Sequence, residues 1–517
     1  MNRRFLFVLF GVSGATALIY EVLWFRPLSL VFGNSIYAIG IILFSFIVGL
    51  AIGSFLISKY IDRIDKPLRL FGILQITIAV SSVLVLVLVN SLPEFYVDVY
   101  RLIDNTEIFI IVQAIMSSSV LLVPAIMIGV NFPLIMKAYS NDTDGYFKDV
   151  GKMDGVNSLG ASIGVLLVSF YLMPELGIKA TMQTVAMVNV ALGSIILFST
   201  KSMPKIHIVL AITASCIIIV FVAEYDVDKL NHAVYAISPN LGDLELSELD
   251  ENNILYHRDS FYQSVMVQEY YNNAEPYMVL KLDGLPQCNT SQSVADGLYR
   301  LPMLPLMAMG STYGPEQTLD AKVLNIGLGC GTITQFLNER GYDTTTVEID
   351  EYVVEASQII YPELDTNNII IDDARNWLLR TDQKFDLIVT EPSHPYGNNM
   401  GNLYSVEFWE LMKSRLTEDG MVSQWYPFWA FPEYEADVFL HTFQTVFPYT
   451  YAFHMEKNED FGQIILIGSA KPLVKNPQMS GEINMNWDRL EGFELNTDDR
   501  PIIEFGSAMK LYYDGNY

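Results

Sequence analysis

Seven apolar segments, at roughly 5–26, 35–58, 69–91, 107–136, 153–173, 179–199 and 206–223, occupy the first 224 residues of this 517-residue chain. Each is close to the about 20 residues that an α-helix needs to cross a bilayer. Lipid offers the main chain no hydrogen-bond partners, so runs of this kind are expected to be helices. That constrains residues 1–224 to a multi-pass helical membrane domain. The first segment does not read as a cleaved leader, because it is too long and Glu21 and Trp24 stand where small residues would be required. Gly49 and Gly53, like Gly160 and Gly164, fall four apart, a spacing that lets helices approach closely. Glu21, Asn131 and Asn157 are polar groups that are costly to bury in lipid, and so become functional candidates. The plainer alternative puts Glu21 at an interface and has the asparagines bond across helices. The fourth segment, which holds Pro124 and Pro133, is long enough to be broken.

Basic residues set the expected orientation. Arg3 and Arg4 precede the first span, Lys59, Arg63, Lys66 and Arg69 follow the second, Lys137, Lys148 and Lys152 follow the fourth, and Lys201 and Lys205 follow the sixth. The opposite loops carry few cations and the acids Glu94, Asp98 and Asp104. This bias places the amino terminus in the cytoplasm of a plasma (inner) membrane protein, and an odd number of spans then puts the soluble half outside the cytoplasm.

Composition divides the chain in the same place. Half of it is hydrophobic (51%), yet the net charge is −27. The apolar excess lies before residue 224 and the acidic excess mostly after it. An acidic surface repels phosphate, so nucleic acid is not an expected partner. The expected partners are the lipid bilayer and a small-molecule acceptor, with room for a homo-oligomer. Cys216, Cys288 and Cys330 have no metal-ligand spacing and no metal is expected; a disulfide framework is not indicated either, which leaves the redox compartment open.

The soluble half divides into a small β-strand subdomain with a linking helix, 225–310, and a Rossmann-like doubly wound α/β domain, 311–517. His257–Tyr270 and Tyr277–Asp283 alternate polar and apolar residues and read as antiparallel strands with a turn at Asn272-Asn273. Leu298–Met309 reads as a helix. The α/β pattern begins at Lys322: a buried strand to Ile326, a turn through Gly327, Gly329 and Gly331, a helix to Arg340, and a second strand ending in Glu348 and Asp350. Strand, glycine turn, helix, strand and acid in this order make a nucleoside site, with glycines admitting the ligand and an acid accepting from ribose hydroxyls. Later strands end in Asp372-Asp373 and in Glu391, followed by His394. Asp373 suits an adenine amino group or, more simply, a helix cap. His394, in the proline-stiffened Glu391-Pro-Ser-His-Pro395, is a candidate general base or a loop residue bonded to Glu391. Residues 395–401, PYGNNMG, form a candidate lid.

Taken together, these motifs resemble the spermidine synthase (polyamine aminopropyltransferase) family. Asp259-Ser-Phe-Tyr-Gln263 is similar to its ExxYQ strand, Leu282-Asp-Gly284 with Gln287 to its LDGxxQ segment, Val347-Glu-Ile-Asp350 to its EID, and Phe385–Pro395 to its YDVIIxDxxDP. Ala17–Trp24 and Asn496-Thr-Asp-Asp-Arg-Pro501 resemble the membrane-fused members, described as major-facilitator/spermidine-synthase fusions. Gly53 with Asp62-Arg63 is similar to a major-facilitator loop signature. The resemblance implies a donor site for decarboxylated S-adenosylmethionine or S-adenosylmethionine. Gln263 would meet the donor's tail, Glu348 the ribose and Asp373 the adenine, beside Gly327, Gly329, Gly331, Asp350 and Asp372. His394, a candidate catalytic residue with Glu391, stands where the family has its catalytic aspartate, and Glu391 where it has the first aspartate of that loop. The acceptor side would hold Tyr262, Asp296, Tyr299 and Arg300, but there Arg300 replaces a histidine and Leu301 an acid. An arginine repels a polyamine and, if it faces the pocket, suits a carboxylate or phosphate; otherwise it is a solvated helix residue. Three functions compete: a membrane-anchored transferase with a divergent acceptor site, a catalytically degenerate domain that senses or scaffolds, and a transporter-like membrane half regulated by the soluble one.

Overall fold

The computed structural model describes residues 3–33, 35–103, 106–139, 146–200, 203–222, 225–231, 253–260, 262–272, 275–313, 320–392, 400–455, 463–474 and 476–504. The chain forms two units, Met1–Gly33 with Tyr37–Ser238, and Asn34–Ile36 with Pro239–Tyr517.

The first unit is helical: α1 (Arg3–Phe32), α2 (Ile36–Ser58), α3 (Pro67–Asn90), α4 (Leu92–Leu102), α5 (Thr106–Tyr139), α6 (Tyr146–Leu167), α7 (Met173–Thr200) and α8 (Lys205–Phe221). Among the described residues five helical runs are long and apolar enough to cross a membrane. The fifth is the 55-residue stretch Tyr146–Thr200, which the sequence divides into two spans; it is interrupted at Gly177 (φ 72°). Lys205–Phe221 is apolar but shorter, at 17 residues. The fourth segment is not broken, since α5 is one helix through Pro124 and Pro133.

The paired glycines lie where helices touch. A side chain on Gly160 would run into the main chain of Gly11, and one on Gly53 into that of Ile126. Asn131 bonds across helices as the simpler reading has it: Gln75 Nε2 donates to its Oδ1 at 3.2 Å, and Ser13 Oγ donates to Gln75 Oε1 at 3.4 Å. Near its start α8 packs Ile208 against Ile76 of α3 and Leu197 of α7. Beyond its end, Asp226 N donates to Asn90 Oδ1 (3.2 Å) and Lys229 pairs with Glu94 (2.6 Å). The chain therefore leaves this unit at the Asn90 end of α3, opposite the end that carries Lys66 and Arg69.

The second unit contains two sheets. In the smaller, antiparallel one, β1 (Asn253–Asp259), β2 (Ser264–Asn272), β3 (Glu275–Leu282) and β4 (Leu285–Asn289) lie in sequence order. The stretch 257–270, expected as one strand, is two, because Ser260 N donates to Gln263 O (2.9 Å) and turns the chain. Asp283 and Gly284 both take positive φ (48° and 81°), the backbone of a two-residue hairpin turn. The helix Gln292–Tyr313 follows and runs through Pro302 and Pro305.

The larger sheet joins β5 (Lys322–Ile326), β6 (Asp343–Glu348), β7 (Ile369–Ile371), β8 (Phe385–Thr390), β9 (Leu416–Pro427), β10 (Tyr449–His454), β11 (Gln463–Ser469) and β12 (Glu482–Ile483) in the order β12-β10-β11-β9-β8-β5-β6-β7. Strands β5 to β9 pair in parallel; β9–β11, β10–β11 and β10–β12 are antiparallel. Both faces are covered: Leu324, Ile388 and Val422 pack with Trp409 and Phe439, while Val323, Leu387 and Val389 pack with Leu301 and Phe336. Two-sided burial is why these strands read as continuous apolar runs. The chain steps outward through β5, β6 and β7, then returns to the other side of β5 with β8. Strand order reverses between β5 and β8, and doubly wound sheets bind ligands at the carboxyl ends beside such a reversal.

Candidate functional site

Four loops leave neighbouring strand ends. Gly327, after β5, donates its N–H to Val347 O (2.9 Å); Glu391, after β8, donates to Ile326 O (3.5 Å); Asp372, after β7, donates to Glu348 O (2.9 Å). The ends of β8, β5, β6 and β7 thus stand side by side in the sheet. Gly327, Gly329 and Gly331 all take positive φ (86°, 52° and 88°), the left-handed region where a Cβ is strained.

Glu348 is 7% exposed, and its two oxygens accept the N–H groups of Leu328 (2.8 Å) and Asp350 (3.1 Å). Burial pushes its carboxyl up to about 7, with the amides working against that shift. Asp350 caps the helix Glu351–Ile360 by accepting from Tyr352 N (3.1 Å), and its other oxygen accepts from Ser260 Oγ (2.5 Å) and Gln263 Nε2 (3.4 Å). Ser260 Oγ in turn accepts from the N–H groups of Tyr262 (3.0 Å) and Gln263 (2.9 Å). This ties the β1–β2 turn to the β6 end. The Tyr262 phenol is raised by burial and then by the nearby carboxylates of Asp350 and Asp373, so these three groups share one neighbourhood. Asp373 Oδ1 accepts from Asn376 N (2.8 Å) as an N-cap, and Asp372 pairs with Arg380. Glu391 is pushed up to about 8 by burial.

On the proposed acceptor side, Asp296 is exposed, and Tyr299 stacks on Phe336 with ring centroids 4.6 Å apart. The expectation that Arg300 is a solvated helix residue needs correcting. It is 7% exposed, and its Nε and Nη2 donate to the carbonyls of His454 (3.2 Å) and Ser480 (2.6 Å). These contacts spend the guanidinium on fastening the helix Gln292–Tyr313 to the ends of β10 and β12, so it is not a solvated residue, and no anion-binding role follows from it. Burial lowers its pKa. His394 and residues 395–399 of the candidate lid 395–401 lie outside the described residues.

A second correction concerns the cysteines. Cys288, on β4, and Cys330, in the glycine turn, form a disulfide with Cα atoms 6.0 Å apart, while Cys216 is free. Spacing alone does not reveal the pair, because its members are 42 residues apart and meet only when the two sheets pack. Two further residues escape a reading of the sequence. Ser260 lies inside the Asp259–Gln263 motif, where a hydroxyl at a tight turn is an ordinary sign of main-chain bonding. Asn496, fully buried, donates to the carbonyls of Gly401 (2.9 Å) and Tyr404 (3.0 Å), fixing the segment that comes after residue 399. Among the described residues no group of three or more His, Cys, Asp or Glu is placed to hold a metal ion.

Residues 312–456 match the family model described as the spermine/spermidine synthase domain. Polyamine aminopropyltransferase 1 of Streptomyces coelicolor is 24% identical over 446 residues, which span 83% of this chain and 77% of its own. The polyamine aminopropyltransferase of Mycobacterium tuberculosis is 22% identical over 446 residues, 81% of this chain and 76% of its own. That of Thermoplasma volcanium is 30% identical over 127 residues, 23% of this chain and 45% of its own. Among solved structures, a probable spermidine synthase from Corynebacterium glutamicum aligns over 48% of this chain and 96% of its own at 15% identity, with a TM-score of 0.38.

Proposed function

We propose that this chain, whose residues 312–456 form a spermine/spermidine synthase domain, is a membrane-anchored transferase. It takes an aminopropyl or alkyl group from a sulfonium nucleoside, decarboxylated S-adenosylmethionine or S-adenosylmethionine, and passes it to a small-molecule amine. The observation that carries this reading is the meeting of the β5, β6, β7 and β8 ends where strand order reverses, with glycines on one strand and carboxyls on the other three. In this reading Glu348 takes the ribose hydroxyls, Asp373 the adenine amino group and Gln263 the donor's tail. Transfer is a displacement at the carbon beside the sulfonium: the acceptor nitrogen forms the C–N bond, the C–S bond breaks, and a neutral thioether leaves. The chain's work is to align the amine and receive its proton. Glu391, with His394 after it, is the candidate receiver; a carboxyl held near 8 titrates close to neutral pH, where a general base is most effective. The relatives named as polyamine aminopropyltransferases support an amine acceptor, and Arg300, committed to carbonyls, gives no reason to prefer an anionic one.

A second reading is a silent binding or sensing domain on a transporter-like membrane unit. Its support is that both oxygens of Glu348 already accept from the chain's own amides. Calorimetry on the full chain in detergent separates the two. The transferase reading expects S-adenosylmethionine or its thioether product to bind, and expects turnover with an amine. Glu348→Ala should weaken binding by about tenfold or more, the scale of a lost charge-assisted hydrogen bond. Unchanged affinity would remove Glu348 from the ribose, and binding without turnover on any amine would favour the sensor.

For sidedness, we place the amino terminus in the cytoplasm and the soluble half outside it. Two observations support this. The chain leaves its helical unit at the end of α3 away from Lys66 and Arg69, and disulfides such as Cys288–Cys330 persist in oxidising compartments.

A further inference from the structure

The glycine turn after β5 has three residues in the left-handed region within five positions, and glycine gives such a segment more freedom than any other residue. Hydrogen bonds to close neighbours restrain it: Gly327 N to Val347 O, Leu328 N to Glu348 Oε2, Gly331 N to Leu328 O, Asn325 Nδ2 to Gly327 O, and Gln335 N to Gly331 O. Each of these starts and ends on β5, β6, the turn itself or the helix Thr332–Glu339 that follows it. The disulfide is different. It runs from Cys330, between Gly329 and Gly331, to Cys288 on β4, the strand that follows the Asp283-Gly284 hairpin. Cys330 is 2% exposed and packs with Leu328 among Val265, Val267 and Leu280 of the smaller sheet and Val353 and Ala356 of the helix Glu351–Ile360. The covalent tie thus holds the turn against the sheet whose β1–β2 loop carries Ser260, Tyr262 and Gln263.

We propose that the Cys288–Cys330 disulfide is a positioning element of the donor site: oxidised, it holds the glycine turn and the β1–β2 loop in the arrangement that receives the nucleoside, and reduced, it lets them part. This rests on the sulfonium-nucleoside reading. A dithiol reductant reverses the state. It breaks the S–S bond, delivers two electrons and two protons to the two sulfurs, and leaves as its own disulfide. Preorganisation of this kind acts on affinity by removing the cost of ordering the turn at the moment of binding.

The test uses the full chain purified without reductant. Alkylation under denaturing conditions should label Cys216 alone; three labelled cysteines would overturn the proposal. Calorimetry with S-adenosylmethionine and its thioether product then compares the oxidised protein, the same protein after dithiothreitol, and the protein reoxidised. The expected result is affinity about tenfold weaker on reduction, restored on reoxidation, with Cys288→Ser and Cys330→Ser each matching the reduced form and insensitive to dithiothreitol. Equal affinity in both redox states overturns the positioning role and leaves the donor reading intact. Binding in neither state sinks the donor reading, and the positioning role with it. Because reoxidation acts on the unmutated chain, an effect of misfolding in the serine variants cannot pass for support.

Discussion

Glu348, at the end of β6, and Glu391, just after β8, lie on either side of β5, and burial raises both carboxyls. For Glu391, taken from 4.5 to about 8, the consequence for stability has a definite sign. The folded state holds the proton more tightly than the unfolded one. Its contribution is therefore fully present below pH 4.5 and is lost as pH rises through about 8. Glu391→Gln, neutral at every pH, should match the parent near pH 4.5 and exceed it at pH 9. The expected gain is on the order of a few kcal/mol, at about 1.4 kcal/mol per pKa unit. Guanidinium unfolding of the detergent-solubilised protein at the two pH values checks this; no gain at alkaline pH would mean that a cation faces the carboxylate. Arg300 teaches the opposite lesson at the same scale. Its charge suggests an anionic substrate, and the structure gives it two main-chain carbonyls instead.

At the scale of elements, the helical unit depends on close approach between α1 and α6. Gly160 lies against the main chain of Gly11, and Gly164 against that of Ala15. A methyl group at Gly160 has no room unless the helices separate, and overpacking of this kind costs about 1–3 kcal/mol. Gly160→Ala should therefore lower the melting temperature in detergent. Gly155→Ala on the same helix, where a Cβ meets nothing within 4 Å, should leave it unchanged or raise it. Equal effects at the two positions would mean that helix propensity, not packing, governs this face. In the soluble unit local pattern is informative only in part. The alternation of β2 and β3 is legible, yet the bend at Ser260–Gln263 is not, because one hydroxyl and one carbonyl turn the chain without interrupting the polar–apolar pattern.

For the whole molecule, the issue is on which side of the membrane the chemistry would sit. The α8 helix runs parallel to α3, from the Ile76 region to the Asn90 end, so the chain departs on the side poor in lysine and arginine. A phosphatase reporter, active only outside the cytoplasm, should be active when fused after Tyr517, and a fluorescent reporter that matures only in the cytoplasm should be dark there. The reverse pattern would return the soluble half to the cytoplasm and leave the disulfide without its oxidising surroundings. Under the proposed transferase function, an outside location also implies that a sulfonium nucleoside has to be exported or formed there.

What the sequence settled by itself is local. Apolar runs of membrane-spanning length, period-two alternation and a glycine turn between strand and helix each satisfy their main-chain groups within a few residues or follow a local pattern, so their signal lies within a few residues. The strand ends carrying Gly327, Glu348, Asp372-Asp373 and Glu391 can be named on that basis without knowing that they are adjacent. Tertiary structure decided the contacts between elements. Cys288 meets Cys330 across 42 residues, Ser260 meets Asp350 across 90, and Arg300 reaches carbonyls 154 and 180 residues away. A side chain's partner at that range is whichever group the packing of sheets and helices brings alongside it, and burial then compels the pairing, because a buried charge or donor without a partner is costly.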